Sequence, residues 1–374
     1  MITDQNNFGL NPIEWSGYTQ NQDCNIHQIS PYIGKIKPAF AKKLVQTFSK
    51  PKDTILDPFS GSGTIPLESW ILGRNVVSCD INPYAYTLTC AKLHPYKSLE
   101  EALEKTWDYL SSMKILSNNT SLSNIPDWVK DFYHPDTLKE CIAFNTLLRT
   151  SNEYFIRANL LGIIHHQRPG FLSYPASHMV PYLRTKKFPK DQFPELYEYR
   201  DLESRIIKKI VRSYRKFPEL DFSLNRACLL ESAQKINLED ESIDAVITSP
   251  PYMNALDYAR DNRLRLWFLG ISQFKEIDQS NPRNIGEFKI LMKDALSNLY
   301  PAIKKNGYFV FVVGNVKRTK HSYSTAQALV EVTDQIGNLE ICDAVEDIVP
   351  DIRRVRKECN CTKKEWIVVI RKVR

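Results

Sequence analysis

No run of apolar residues in this 374-residue chain approaches the length that crosses a bilayer, roughly 20 residues for a helix. The opening residues, Met1-Ile2-Thr3-Asp4-Gln5-Asn6-Asn7, are polar and lack the basic-then-apolar pattern of a secretory leader. Cysteine is thin and unpatterned: the eight residues, at 24, 79, 90, 141, 228, 342, 359 and 361, follow no disulfide framework. Cys359-x-Cys361 has no second pair nearby, so no zinc site is expected, and reduced thiols in a cytosolic protein are the simpler account. Charge of either sign is not in great excess. A net +7 permits a polyanionic partner without requiring one. What the chain does have is core material, 43% hydrophobic and 11% aromatic residues, which excludes a disordered chain. Its length suits one large domain with an insertion, or two domains.

The most informative stretch is Ser249-Pro250-Pro251-Tyr252, which follows the β-branched apolar run Ile243 to Thr248. That run is too short for a helix and predicts a buried strand. Two consecutive prolines donate no hydrogen bond and fix φ, so the chain leaves the sheet rigid and extended. The carbonyls around Ser249 and Pro250 become acceptors without a ladder partner, and Tyr252 adds a flat aromatic face. A plate beside fixed acceptors, at the carboxyl end of a strand, suits a planar heterocycle carrying an exocyclic amine. A plain strand end with a Pro-Pro kink and a surface tyrosine is the competing account.

The second stretch predicts a strand at Thr54-Ile55-Leu56, a loop at Asp57-Pro58-Phe59-Ser60-Gly61-Ser62-Gly63-Thr64 and a helix from Ile65 to Leu72. Glycines 61 and 63 clear side chains from where a ligand approaches the backbone, and the helix start offers free N–H groups. Asn75 to Cys79 is the next strand, and Asp80 at its end is placed to accept from ribose hydroxyls. The loop lacks the third glycine of the dinucleotide fingerprint. Asp57 would repel a pyrophosphate but welcome an ammonium group. A cofactor with a ribose and a cationic amino-acid end, as in S-adenosylmethionine, is favoured over NAD.

Upstream, residues 1–30 are turn-rich and are expected to wrap over the domain, and Pro38 opens a helix with Phe40, Ala41, Leu44, Val45 and Phe48 on one face. From Lys97 to Asp221 the sheet rhythm is lost. Helices are expected over Leu99–Ile115 and within Pro135–Gly162, separated by a break at Ser117–Ser121. An aromatic irregular segment (171–184) follows, then Lys186, Lys187 and Lys190, and then a long basic helix. On that helix Arg205, Lys208, Lys209, Arg212 and Lys216 fall on one face. Such a stripe suits a phosphate backbone, or equally a solvated face interleaved with Asp201 and Glu203. His165, His166 and His178 are taken as core or surface histidines rather than metal ligands. The α/β rhythm returns at Ala227–Leu230, with Glu231-Ser232-Ala233 at its tip. A loop turning into a helix follows over Asn254–Gly270. Tyr308–Val313 predicts a buried strand, Thr325–Ile336 a helix, and Leu339–Val349 with Trp366–Val373 a hairpin.

A terminal hairpin on a parallel α/β sheet resembles class I S-adenosylmethionine-dependent methyltransferases, a Rossmann-like fold. At residues 25–95 and 225–374 the chain resembles the amino-group DNA methyltransferases. Asp57 to Thr64 is similar to their cofactor loop, Asp80 to their ribose-binding acid, and Thr248-Ser249-Pro250-Pro251-Tyr252 to their catalytic motif. The resemblance implies S-adenosylmethionine as cofactor, held by Lys37, Asp57, Pro58, Phe59, Gly61, Gly63, Thr64, Asp80, Ile81, Ser232 and Ala233. It implies catalysis at Ser249, Pro250, Pro251 and Tyr252, and no metal. Family members usually carry an acidic residue on the cofactor adenine where Glu231-Ser232-Ala233 stands. Cofactor loop first and catalytic motif second is the order of the subgroup whose intervening insertion recognises the target. Residues 1–96 and 222–374 would then form the catalytic domain and 97–221 a helical target-recognition insertion. Serine at 249 resembles the cytosine-N4 members. The implied partners are double-stranded DNA and a cognate restriction or defence protein, in the cytoplasm at the nucleoid. The alternatives are an adenine 6-amino DNA methyltransferase, a tRNA guanine 2-amino methyltransferase, and an inactive nucleic-acid-binding module of the same fold.

Overall fold

The structure, a computed structural model, describes residues 6–16, 23–166, 170–177, 181–253, 258–279, 281–314, 324–348 and 364–373. Seven strands form one sheet: β1 (Thr54–Asp57), β2 (Asn75–Cys79), β3 (Arg226–Leu229), β4 (Ile243–Thr248), β5 (Ile303–Gly314), β6 (Leu339–Ile348) and β7 (Lys364–Lys372). Their spatial order is β3-β2-β1-β4-β5-β7-β6. All run parallel except β7, which is antiparallel to both of its neighbours, with Val310 opposite Val369 and Val368 opposite Ala344. This is the expected class I methyltransferase architecture, with its C-terminal hairpin. Order reverses between β1 and β4, and a crevice opens there at the carboxyl ends of the strands.

The helices, in chain order, begin with α1 (Ile13–Ser16), α2 (Pro38–Phe48), α3 (Thr64–Ile71), α4 (Pro83–Leu93), α5 (Leu99–Asn118), α6 (Asp127–Lys130) and α7 (Pro135–Thr150). They continue with α8 (Tyr154–Ile163), α9 (Leu202–Ser213), α10 (Tyr258–Asp261), α11 (Arg263–Phe268), α12 (Lys275–Gln279), α13 (Ile285–Leu299) and α14 (Thr325–Ile336). Strand residues alternate between the faces they cover. Ile55, Ala245, Ile247, Val310 and Val312 pack with Phe40, Leu44 and Phe48 of α2. Leu56, Val246, Phe309 and Phe311 pack on the other side with Phe288, Met292 and Leu296 of α13 and Leu329 of α14. Trp15, 1% exposed, donates its indole N–H to Asp347 on β6 at 2.8 Å, so the described part of the N-terminal segment does wrap onto the domain.

Between residues 97 and 221 the chain is helical, as expected, but its apolar side chains are not a separate core. Leu110, Phe144, Phe155, Leu161 and Ile206 join Leu67, Trp70 and Val76 of the first β-α-β unit and Leu88 of α4 in one contiguous cluster. The Trp70 indole also donates to the Asp221 carbonyl at 2.8 Å. Two local expectations are corrected. Helix α5 runs through Ser117 to Asn118, because serine and asparagine at an exposed helix end do not stop it before its carbonyls are capped. The basic stripe is not continuous: Lys208 and Arg212 are exposed, but its other members are not on one free helix face. Helix α9 ends at Ser213, so Arg215 and Lys216 lie beyond it. Lys209 lies on the buried side with Leu202, Ile206 and Ile210, its ammonium 2.9 Å from the Gln28 carbonyl and pushed down to about 7 by burial. Arg205 pairs with Asp201 at 2.8 Å. His165 is buried against Phe132 and His166 stacks on Phe171. His178, Cys359 and Cys361 lie outside the described residues.

Candidate active site

At the tip of β1, Asp57 is 2% exposed. Its Oδ1 accepts from the Thr248 hydroxyl at 2.6 Å and from the Phe59 N–H at 3.3 Å. Burial pushes this carboxyl up to about 7; the two hydrogen bonds pull against that rise and the nearby Asp80 adds to it. Thr248 is the last residue of β4, so one hydroxyl ties the two sequence motifs together across the switch point.

At the tip of β2, Asp80 holds the glycine loop. Its Oδ2 accepts from the Gly61 N–H and its Oδ1 from the Asn82 N–H, both at 2.8 Å. Burial pushes Asp80 up to about 6 despite both bonds. Each oxygen keeps further lone-pair capacity toward the crevice. Gly61 has φ of +49°, and a Cβ there would lie 3.4 Å from the Tyr32 ring. Gly63 (φ +70°) serves a different contact: a Cβ would fall 2.7 Å from Thr89 Oγ1 on α4. Helix packing by itself therefore calls for glycine at this position.

The loop is also fastened from behind. Lys92, 2% exposed on α4, donates to the Ser62 carbonyl at 2.5 Å, and burial lowers it to about 7. Beside it Glu68, raised to about 7 by burial, shares a hydrogen bond of 2.7 Å with His27 Nε2. Burial also holds the His27 imidazole well below its usual value, so the pair is shifted toward its neutral forms.

At the tip of β4, Ser249 Oγ lies 3.1 Å from the Val312 carbonyl on β5 and 3.4 Å from Tyr252 Oη. The Tyr252 phenol donates to Glu365 Oε1 on β7 at 3.0 Å. Burial first, and the Glu365 charge second, push the phenol well above its usual value.

These tips enclose one cavity of about 420 Å³, within the range of small-molecule sites. The β1 loop contributes Asp57, Pro58, Phe59, Gly61 and Thr64; β2 and β3 contribute Asp80, Ile81, Ser232 and Ala233; the β4 turn contributes Ser249, Pro250, Pro251 and Tyr252. Two expected site residues are not in its lining. Gly63 faces α4, and Lys37 caps α2 with its ammonium 3.4 Å from the Trp15 and Ser16 carbonyls. Lys35 and Ile36 line the cavity in its place. Residues that sequence reasoning passed over are Tyr32, Asn82, Glu231, Gln234, Tyr258, Asn281 and Asp294. Glu231 had a signal, an acid at the β3 tip beside Ser232. Tyr32 and Tyr258, stacked at 6.1 Å, had none, since they meet only through the fold.

The residue set fits S-adenosylmethionine. A buried carboxylate (Asp57) suits an ammonium, acceptor capacity at Asp80 suits ribose hydroxyls, and Ile81, 40% exposed, offers an apolar face to a flat base. No cluster of metal-ligating side chains occurs among the described residues.

The strand order and the place of the cavity give the architecture of the class I S-adenosylmethionine-dependent methyltransferases. Comparison with known proteins narrows it. Residues 14–90 match the DNA methylase family. The chain is 25% identical to the Type II methyltransferase M.BsoBI of Geobacillus stearothermophilus over 69% of its own length and 55% of that protein's. It is 24% identical to the Type II methyltransferase M.MvaI of Kocuria varians, over 83% of this chain and 72% of the relative. The chain thus spans only about half the length of M.BsoBI. The solved structure of TrmN from Thermus thermophilus aligns with 93% of this chain and 52% of its own at 11% identity and a TM-score of 0.38. The recognition made from the motifs is borne out at the level of the amino-group DNA methyltransferases, N4 and N6 types together.

Proposed function

We propose that the chain transfers a methyl group from S-adenosylmethionine to an exocyclic amine of a base in double-stranded DNA, and that the amine is the 4-amino group of cytosine. The observation that carries this is the joining of Asp57, Asp80, Ser249 and Tyr252 in a single cavity, with Thr248 bonded to Asp57. Asp57 would hold the ammonium end, Asp80 the ribose, and Ile81 with Ser232 and Ala233 the adenine. Glu231 lines the same end and adds a carboxylate there. When bound, the cofactor supplies an electrophilic methyl on a cationic sulfur.

The remaining work falls to the chain. A base inside a duplex is out of reach, so it must be flipped into the crevice. Tyr252 stacks on it, at roughly 1–3 kcal/mol per base. Ser249 Oγ and the Pro250 carbonyl accept from the amine and hold its protons, which aims the nitrogen lone pair. No strong base is required beforehand, since nitrogen sheds its surplus proton once alkylated; catalysis is mainly positioning. A neutral serine at 249, rather than an aspartate or asparagine, favours cytosine over adenine. The segment 97–221 is assigned target recognition, and the Type II relatives favour a restriction–modification setting.

The test is incubation with labelled S-adenosylmethionine and either unmethylated DNA or tRNA, followed by nucleoside analysis. N4-methylcytosine in DNA is expected. N6-methyladenine would overturn the base, label in tRNA guanine the polymer, and absence of label on both the activity.

A further inference from the structure

A serine hydroxyl has one proton and two lone pairs, and the direction of that proton decides what it can do for a bound base. Two oxygens lie within reach of Ser249 Oγ: the Val312 carbonyl at 3.1 Å and Tyr252 Oη at 3.4 Å. The phenol oxygen is itself 3.0 Å from Glu365 Oε1. A carboxylate only accepts, so the phenol proton points to Glu365 and the phenol oxygen turns toward Ser249 as an acceptor. Both neighbours of Ser249 are then acceptors. Its proton goes to one of them, and its lone pairs are left for donors arriving from the cavity. Without the carboxylate, the phenol is free to turn its proton onto Ser249 Oγ and occupy a lone pair that an amine would use. The antiparallel strand β7 makes this possible, because its register sets Glu365 opposite Gly314, just past Val312, and so brings together residues 113 positions apart.

We infer that Glu365 is a positioning residue for the substrate amine: through the Tyr252 hydroxyl it fixes Ser249 as a hydrogen-bond acceptor. This rests on the amine-methyltransferase reading above and deepens it. Discrimination is then by hydrogen-bond polarity rather than size. Cytosine presents an N–H donor at its 4-position, where thymine presents an oxygen. That oxygen would meet Ser249 acceptor to acceptor.

The experiment compares wild type, Glu365→Gln, Glu365→Asp, Tyr252→Phe and the Glu365→Gln/Tyr252→Phe pair. Single-turnover transfer from tritiated S-adenosylmethionine to unmethylated bacteriophage genomic DNA is measured, with cofactor affinity by calorimetry. Glu365→Gln should slow transfer on the order of 10-fold while cofactor affinity stays within about twofold, and should add little once Tyr252→Phe has removed the transmitting hydroxyl. Glu365→Asp, which keeps the charge, should regain part of the rate. Unchanged transfer in Glu365→Gln, full additivity in the double variant, or a matching loss of cofactor affinity would overturn the inference. A wild-type chain that labels no DNA overturns the underlying reading and the inference with it, whereas a labelling wild type with an indifferent Glu365→Gln sinks the inference alone.

Discussion

The two ends of the cavity are stiffened by different means. The β1 end is held through its backbone: Asp80 grips the Gly61 N–H, Lys92 grips the Ser62 carbonyl, and the buried groups behind them are shifted toward their neutral forms. The β4 end has two prolines that donate nothing, and it relies on side chains, Ser249 and Tyr252, anchored to β5 and β7. A loop fixed by its backbone suits a ligand that is the same at every turnover. An end fixed by side chains suits the tuning of one substrate edge. Substitutions at the first end should therefore move cofactor binding, and those at the second should move transfer.

The sharpest attempt to break that division is Tyr252→Ala. Transfer should fall by about 100-fold, the upper part of what a lost stacked base is worth, with cofactor affinity nearly unchanged. Parallel loss of both, in transfer assays and calorimetry, would erase the distinction. Asp57→Asn should do the reverse and weaken cofactor binding by about 10-fold. Its pH behaviour carries a sign. The folded carboxyl is raised from 3.8 to about 7, so its contribution to stability is full below about pH 4 and is lost as pH rises through about 7. The apo variant should therefore gain in melting temperature relative to wild type between about pH 4 and pH 8. Cofactor affinity of the wild type should rise over the same interval, because an ammonium is met by the ionised form. Lys92→Met leaves the Ser62 carbonyl without its buried donor and should cost about 1–3 kcal/mol in denaturant unfolding, with transfer per bound cofactor unaltered. The smallest effect is expected at the joint between the ends. Thr248→Val removes one hydrogen bond to Asp57, worth roughly 0.5–1.5 kcal/mol, and should lower affinity and rate together by a few-fold, read from the same two assays.

The sequence made the strands and both loops legible because each carried local chemistry. A β-branched run, a glycine pair and a proline pair constrain the backbone whatever surrounds them, and the strands at 54–57, 75–79 and 243–248 fall where those signals put them. The cavity's middle was hidden. Tyr32 and Tyr258 reach it from distant segments, Glu365 touches Tyr252 from another, and no spacing announces contacts made only by tertiary packing. Lys209 misled for a related reason. Three- and four-residue steps show which residues lie near one another on a helix but not where the burial boundary falls, and here it passes between exposed Lys208 and buried Lys209. Lys37, implied by the resemblance of the segment around it, turns its ammonium to the Trp15 and Ser16 carbonyls, because a local motif does not fix where a long side chain settles.

On the proposed assignment of target recognition to 97–221, the unbroken apolar cluster linking its helices to Trp70, Val76 and Leu88 limits how a new target could be acquired. A segment that shares its interior with the catalytic sheet cannot be traded between relatives as a cassette. Lifting it out would strip the cover from the first β-α-β unit, and a foreign replacement would have to match that surface residue by residue. New sequence preferences on this scaffold are therefore to be sought in point changes on the solvent side of the helices, leaving the wall they share with the cofactor half intact.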